Sequence, residues 1–315
     1  MKPNVVANFA GLMVIAVAAC AQDYPNKPIR IITSPAGGGN DVPARLLAQG
    51  IAGSLGQQVV VDNRPTVLIA ELAMKAPPDG YTLLFSGGPH WLGHFFEKTS
   101  YDPVKDFAPI SIVDRQPVIL VVHPSMPVKS VKELIALAKA KPGQLNYASG
   151  APGGSNHLAA ILFNYMAGVD ILRIPYSGSS PGMIALIGGH VHMMFPAAGG
   201  ATAHVKAGRL RALAVGSAEP TPLAPGVPTV AAMGVPGYVS DAVHAVFAPV
   251  KTPTPIVDKL NQEIARYLKT ADAKEKFFNT GMDAVSSSPG ELTDMMRSEM
   301  ARIAKVVKAA GINPP

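Results

Sequence analysis

The chain has 315 residues, of which 48% are hydrophobic and only 15% are charged. This balance excludes an intrinsically disordered protein and is enough for two domains with buried cores. The net charge of +6 is modest and aromatic residues make up only 6%, which argues against a nucleic-acid groove, because such grooves combine clustered positive charge with stacking rings.

The first 21 residues have the pattern of a secretory signal peptide. Lys2 precedes an apolar stretch over residues 5–19, which is shorter than the roughly 20 apolar residues of a membrane-spanning helix. Cys20, the only cysteine, leaves two processing routes open. Cleavage before Gln22 would leave a mature chain without thiols, whereas a lipobox over residues 17–20 would make Cys20 a lipidated N-terminus. Both routes predict export, and we expect the protein in the periplasm.

Strand-like and helix-like segments alternate along the mature chain. The first apolar strand, residues 29–33, is followed by a glycine-rich turn and a helix over residues 42–55. The other predicted strands cover residues 59–61, 81–85, 118–122, 146–149, 172–175, 191–195 and 210–215, and the other helices cover residues 131–139, 157–166, 183–187, 256–269, 273–280 and 291–310. Such alternation is typical of an α/β fold in which parallel sheets are flanked by helices.

Two apolar strand-like segments, residues 118–123 and 245–250, predict crossings between two domains, because each is followed by prolines and the chain between them has its own strand–helix pattern. We therefore expect one discontinuous domain, residues 24–123 plus 248–315, and one inserted domain, residues 124–247. Two lobes joined by two strands form a hinge with a cleft between them.

Two glycine-rich loops connect a predicted strand to a predicted helix, at residues 34–41 and 149–157. Glycines expose backbone N–H groups, and a helix N-terminus attracts anions. A tight turn with a capping side chain explains the first loop equally well, with Asn40 or Asp41 as the cap. In the second loop Ser155 or Asn156 could cap the helix. One such loop on each lobe, facing one cleft, would hold one anion from both sides.

Other polar positions have simpler explanations. The loops over residues 86–90 and 195–200 follow strands and could line the cleft, although plain loops fit equally well. A packed tyrosine is the simpler explanation of Tyr176. His190 and His192 would share one face of a strand, but two ligands without a third are weak evidence for a metal site. We expect neither a metal nor a cofactor.

Three enzyme signatures fail on their chemistry. Residues 178–182 match G-x-S-x-G, but the residue after the nucleophile must donate its N–H to the oxyanion hole and Pro181 has none. The third glycine of a dinucleotide-binding motif would fall at Val42. No phosphate-binding G-x-x-x-x-G-K-[ST] motif is present.

A set of motifs along nearly the whole mature chain carries a family resemblance. They include YPNKPIRII, LGQQVVVDNRP, PDGYTLL and GVPTV at residues 24–32, 55–65, 78–84 and 226–230, together with residues 35–41, 44–48, 101–109, 157–159 and 175–178. In this order they resemble the substrate-binding receptors of tripartite tricarboxylate transporters, also called the Bug family.

The resemblance implies a two-lobed periplasmic binding protein of type II, a Venus flytrap whose lobes are each a mixed, mostly parallel sheet flanked by helices and joined by two hinge strands. Such receptors are monomers without a cofactor; they close on a small carboxylate and deliver it to the permease subunits of a membrane transporter. The positions that match the family's carboxylate-binding loops are Ala36, Gly37, Gly38, Asn40, Asp41, Gly153, Ser155, Asn156 and His157. The far end of the ligand is expected near Ser86, Gly87, His90, Tyr176, Pro196, Ala197 and Asp241.

The sequence departs from the family at residues 65–69, where a glycine-rich stretch is replaced by Pro-Thr-Val-Leu-Ile. A second departure is the absence of tryptophan before Ala248. The first departure predicts either an altered ligand shape or impaired binding. A ligand sensor that signals to a membrane kinase would have the same cleft, and an enzyme acting on a carboxylate is a third alternative. The sequence does not distinguish dicarboxylates, tricarboxylates, acidic amino acids and aromatic acids.

Overall fold

The computed structural model describes residues 24–309 and 311 and has two mixed β-sheets flanked by helices, which confirms the predicted α/β class. The first sheet contains six strands and the second contains five. We call the body built on each sheet the first and the second lobe.

The strands of the first sheet are, in spatial order, β11 (Asp283–Ala284), β4 (Phe107–Pro117), β10 (Asp241–Pro249), β3 (Thr82–Gly87), β1 (Ile29–Thr33) and β2 (Val59–Asn63). Those of the second sheet are β7 (Leu172–Pro175), β6 (Asn146–Ser149), β8 (Met193–Met194), β5 (Ile119–Val122) and β9 (Arg211–Val215).

Parallel pairings do not predominate, although the sheets are mixed as expected. Among the described strands, four pairings are parallel and five are antiparallel. The antiparallel pairing of β4 with β10 arises where the chain crosses between the two sheets. The chain passes from the first sheet to the second through β4 and returns through β10, so these two neighbouring strands run in opposite directions.

Three chain segments lie side by side where the sheets meet. Val118 separates β4 from β5, its carbonyl accepts the N–H of Gly216 at 2.7 Å, and the carbonyl of Gly216 accepts the N–H of Ser240 at 2.9 Å. Strand pairing thus changes sheet near Val118 and Ser240, some residues before the expected boundaries at 123/124 and 247/248. The division into domains at those boundaries stays a prediction.

The helices cover both faces of each sheet. On the first lobe, α1 (Asp41–Leu55), α8 (Thr254–Leu268) and α9 (Ala271–Asn279) pack on one face, and α2 (Thr66–Met74), α3 (Gly88–Leu92) and α10 (Pro289–Ala309) on the other. On the second lobe, α4 (Val131–Ala140) and α5 (Ser155–Ala167) cover one face, and α6 (Ser179–Ile187) and α7 (Ala198–Lys206) cover the other. Leu260 and Leu292, both fully buried, lie on opposite faces of the first sheet.

Several elements were not predicted: β4, β11, α2, α3 and α7. Strand β4 contains Pro109 and polar residues near its end, and an irregularity in its pairing with β10 accommodates the proline opposite Phe247. Helix α7 contains two glycines, which lower helix propensity, and it is stabilised by packing against the second sheet. The unusual stretch at residues 65–69 forms the first turn of α2, with Pro65 at the N-cap position.

No helix within the described residues is long and apolar enough to cross a membrane. The predicted signal peptide and Cys20 lie outside the described residues.

Substitutions at two glycines of α1 test how this helix, which follows the first glycine loop, packs against α8. A Cβ on Gly50 would lie 2.1 Å from Cζ of Tyr267 in α8, whereas a Cβ on Gly53 meets no atom within 4 Å. Alanine improves helix propensity equally at both positions, so Gly50→Ala should be less stable than Gly53→Ala by about 1–3 kcal/mol, the cost of overpacking. Urea unfolding measures this difference; equal stabilities would contradict the packing of α1 on α8.

Candidate functional site

The first glycine loop begins at the carboxyl end of β1 and leads into α1. Residues 35–37 are exposed, and the N–H of Gly38 closes a tight turn on the carbonyl of Pro35 at 3.0 Å. Gly37 has a φ of +75°, a conformation that favours glycine. Asn40 occupies the N-cap position of α1 but makes no capping hydrogen bond with its side chain, so the expected Asn40 cap is not formed.

Asp41 holds this loop from the first turn of α1. Its Oδ2 accepts the Gly37 N–H at 3.0 Å, and its Oδ1 accepts Nδ2 of Asn63 at 2.9 Å and lies 3.0 Å from Nε of Arg45. Burial opposes ionisation of Asp41, but these hydrogen bonds outweigh it and hold the pKa of the carboxyl below its ordinary value. Both carboxylate oxygens thus have partners within the protein.

The second glycine loop begins at the carboxyl end of β6 and leads into α5. Gly154, with extended backbone, is the N-cap residue and Ser155 is the first residue of the helix. The expectation that Ser155 or Asn156 caps α5 is therefore wrong. The reason is that the helix begins one residue earlier than a Ser155 cap requires, which leaves the Ser155 side chain half-buried in the first turn.

Asn156 and His157 hold the second loop, as Asp41 holds the first. Oδ1 of Asn156 accepts the Gly150 N–H at 3.2 Å, its Nδ2 donates to Oγ of Ser179 at 3.1 Å, and Nδ1 of His157 accepts the Gly153 N–H at 3.2 Å. Burial, assisted by a nearby cation, lowers the pKa of His157 to about 3, so this imidazole is neutral and accepts the amide proton.

A guanidinium lies beneath the second loop. Nε of Arg173 donates to Oγ of Ser149 at 2.6 Å and Nη2 donates to the carbonyl of Gly150 at 2.8 Å. These two bonds connect β7 to the start of the loop. Arg173 therefore adds a positive charge below the N-terminus of α5.

The loop contacts change which amide groups are available to a ligand. The N–H groups of Gly37, Gly38, Gly153 and Gly154 already donate within the protein, contrary to the expectation that these amides hold a carboxylate. Helical geometry leaves the first-turn N–H groups of α5 without intrahelical acceptors. The first turn of α1 is a poorer anion site, because it contains the Asp41 carboxylate and Pro43, which has no N–H.

Of the remaining predicted ligand-binding residues, some lie at the junction of the two lobes and others lie in the core of the first lobe. A Cβ on Gly88 would lie 2.8 Å from the carbonyl oxygen of Gly153, so the loop after Ser86 and Gly87 meets the second glycine loop. On the other side of the junction, Pro196 accepts the Ile119 N–H at 2.9 Å.

Ala197 bridges to Val118, which places it beside the crossing strands. Tyr176 is half-buried, and its backbone N–H donates to the carbonyl of Ser149 at 2.8 Å. Tyr176 therefore follows directly on the strand that carries Arg173.

His90 lies in the aromatic core of the first lobe rather than in the cleft. The residue is 2% exposed, and its ring stacks on Tyr101, meets Phe107 edge-on and lies tilted against Phe247. Burial lowers its pKa to about 3. The side chain points into the core because α3 packs it against the sheet.

A buried polar cluster that the sequence analysis missed lies beneath Gly87. Nδ1 of His244 is 2.9 Å from Oδ1 of Asp114, which also accepts Nε2 of Gln116 at 3.2 Å. A Cβ on Gly87 would lie 3.0 Å from Cδ2 of His244. The partners are 130 residues apart, and only the pairing of β4 with β10 brings them together.

The described residues 24–309 contain no group of three or more His, Cys, Asp or Glu side chains placed to hold a metal ion. Nδ1 of His192 is instead 2.8 Å from Oδ1 of Asn146. A cavity of about 570 Å³ follows α5 and is lined on its other side by Phe96 and Ala309 of the first lobe; it includes His157 and Arg173 but no residue of the first glycine loop.

Asp241, at the junction of the two lobes, is expected to make the stability of the protein depend on pH. It begins β10, its Oδ1 is buried without a hydrogen-bond partner among the described residues, and burial raises the pKa of its carboxyl to about 6, with Asp283 adding repulsion and Arg115 opposing it. Because the folded protein binds this proton more tightly than the unfolded chain does, the free energy of unfolding falls as the pH rises from about 4 to about 6.

We therefore expect Asp241→Asn to stabilise the protein at pH 7.5 by about 1–3 kcal/mol and to have little effect at pH 4. Thermal unfolding across this range measures the difference, with Asp258→Asn, an exposed aspartate in α8, as the matched control. A gain that does not depend on pH would show that the buried charge is not its cause.

Comparisons with known proteins agree with this architecture. Residues 43–312 match the model of the tripartite tricarboxylate transporter family receptor. The chain is 36% identical to Protein BugT of Bordetella pertussis over 314 residues, which cover 98% of this chain and 96% of BugT.

Solved structures are also similar. A protein of R. palustris with adipate is 35% identical with a TM-score of 0.87, covering 93% of this chain and 100% of that one. MatC from Rhodopseudomonas palustris with bound malate is 30% identical with a TM-score of 0.82, covering 90% and 100%. Since the family model matches most of the length and the same fold recurs in these relatives, the chain belongs to the tripartite tricarboxylate transporter receptor family.

Proposed function

We propose that this protein is a periplasmic receptor that binds a small carboxylate between its lobes and delivers it, chemically unchanged, to the permease of a tripartite tricarboxylate transporter. The observation that carries the proposal is the N-terminus of α5. Its loop is fixed by Asn156, His157 and Arg173, so the first-turn N–H groups are oriented before a ligand arrives. Such a terminus favours an anion.

The two lobes contribute unequally to this binding. Asp41 already places a carboxylate at the N-terminus of α1, and like charges repel. The ligand carboxylate is therefore assigned to the α5 terminus, with Oγ of Ser155 as an additional donor. The exposed residues 35–37 of the first lobe then close over the ligand and provide the backbone N–H of Ala36.

A dicarboxylate is the ligand class with most support. The similar structures contain adipate and malate, each of which has two carboxylates. One carboxylate is assigned to the α5 terminus and the other to the positions around Gly87, Tyr176 and Ala197. Contacts made in both lobes only in the closed form supply the free energy for closure.

The chemistry of the loops supports binding rather than catalysis. The nucleophile position of the G-x-S-x-G match is Ser180, and the next residue, Pro181, has no N–H to offer an oxyanion. Oγ of the neighbouring Ser179 accepts a hydrogen bond from Asn156 and so helps to hold the second loop. His157 accepts an amide proton and is neutral, so it has no free base nitrogen at Nδ1.

Calorimetric titration of the mature protein, from Gln22 onward, with adipate and malate tests the proposal. Adipamide, which has the same length without charge, is the control ligand. Ser155→Ala should weaken binding about tenfold, the value of one hydrogen bond to a charged group, without changing the temperature of unfolding. Ser54→Ala, at the far end of α1, should leave affinity unchanged. Equal binding of adipate and adipamide, or an unaffected Ser155→Ala, would contradict the assignment.

A further inference from the structure

The lobes touch through glycine backbone on both sides of the crossing strands. Gly199, in the first turn of α7 on the second lobe, lies against Gly281, in the turn between α9 and β11 on the first lobe. A Cβ on Gly199 would lie 2.5 Å from Cα of Gly281 and 2.7 Å from the carbonyl oxygen of Thr280. On the opposite face of the first sheet, a Cβ on Gly88 would lie 2.8 Å from the carbonyl oxygen of Gly153.

These distances leave no space for a side chain. Carbon atoms in contact are about 3.5–4.0 Å apart, so a methyl group at position 199 would have to move the two backbones apart by roughly 1 Å. The neighbouring atoms belong to backbone, which cannot rotate away as a flexible side chain can. Both lobes have packed interiors and would move as bodies rather than deform.

Because the Gly199–Gly281 contact lies near the hinge, a small displacement there produces a larger one at the glycine loops. Ala197, two residues before Gly199, bridges to Val118 between the crossing strands. The Gly199–Gly281 contact is therefore close to the hinge. A small separation near a hinge becomes a larger one further away, where the glycine loops must meet a ligand from both sides.

We propose that the Gly199–Gly281 contact forms when the lobes close, and that Gly199 is a positioning residue that sets ligand affinity without touching the ligand. The proposal rests on the function proposed above. It explains why α7 has a glycine at position 199 in spite of the cost to helix propensity. At Gly281 the φ of +81° already favours glycine, so Gly199 is the cleaner position to change.

The chain provides a matched control in the same helical turn. Gly200 is exposed, and a Cβ added to it meets no atom within 4 Å. Gly199→Ala and Gly200→Ala gain the same helix propensity, so they differ only in the contact with Gly281. Any difference between the two variants reports on that contact.

The experiment compares wild type, Gly199→Ala and Gly200→Ala by thermal unfolding without ligand and by calorimetric titration with adipate and malate. We expect both variants to unfold at or above the wild-type temperature. We also expect Gly199→Ala to bind the acid at least about fivefold more weakly, the lower end of the cost of forcing a methyl group into filled space, and Gly200→Ala to match wild type.

Two results would overturn the proposal. Unchanged affinity of Gly199→Ala would show that closure does not require the contact. Selective loss of stability of ligand-free Gly199→Ala would show that the contact is permanent packing. If wild type binds neither acid, the dicarboxylate assignment made under the proposed function fails. The thermal unfolding of the ligand-free variants then tests the contact by itself. Equal stability of Gly199→Ala and Gly200→Ala supports a contact that opens, and selective destabilisation of Gly199→Ala overturns the proposal.

Discussion

Both glycine loops are held by side chains from the first turn of the helix that follows them. Asp41 accepts the amide of Gly37, and Asn156 and His157 accept those of Gly150 and Gly153. Without these bonds, glycine loops would lose much conformational entropy when a ligand ordered them. The side chains fix the loops in advance, so a ligand meets oriented donors. They also use loop amides as donors, which is why the anion site is proposed at the N-terminus of α5 rather than in the loops.

The crossing strands join this local order to the movement of the lobes. Because β4 and β10 pair with each other while their continuations enter the second sheet, the described backbone of the two lobes is continuous near Val118, Gly216 and Ser240. The lobes also meet through side chains: Leu158 of α5 packs in a core cluster of the first lobe, and Val306 of α10 packs in the core of the second. The buried Asp114–His244 pair also joins β4 to β10, the two strands that lead into the junction.

The sequence predicts those parts of the fold that depend on local patterns. The predicted strands 146–149 and 172–175 agree with the structure, and both are bounded by turn residues in the sequence, such as Pro142-Gly143 and Ser177-Gly178. Strand β4 was missed because its proline and charged residues resemble a loop until β10 pairs with it. The sequence also predicts the positions of the two glycine loops, but it does not predict which of their backbone N–H groups are free to bind a ligand. Whether the Gly153 N–H is free depends on the orientation of the His157 ring, and the spacing of residues in the sequence does not determine that orientation.

The most direct test of the central claim is a titration of the ¹⁵N-labelled mature protein with adipate, followed by its backbone amide resonances. We expect the largest shifts at the first-turn amides of α5, residues 155–157, a second group at Ala36, and smaller changes at Gly37, whose amide is hydrogen-bonded to Asp41. Shifts confined to the far part of the cavity along α5, for example at residues 164–170, would place the ligand away from both glycine loops and contradict the proposed site.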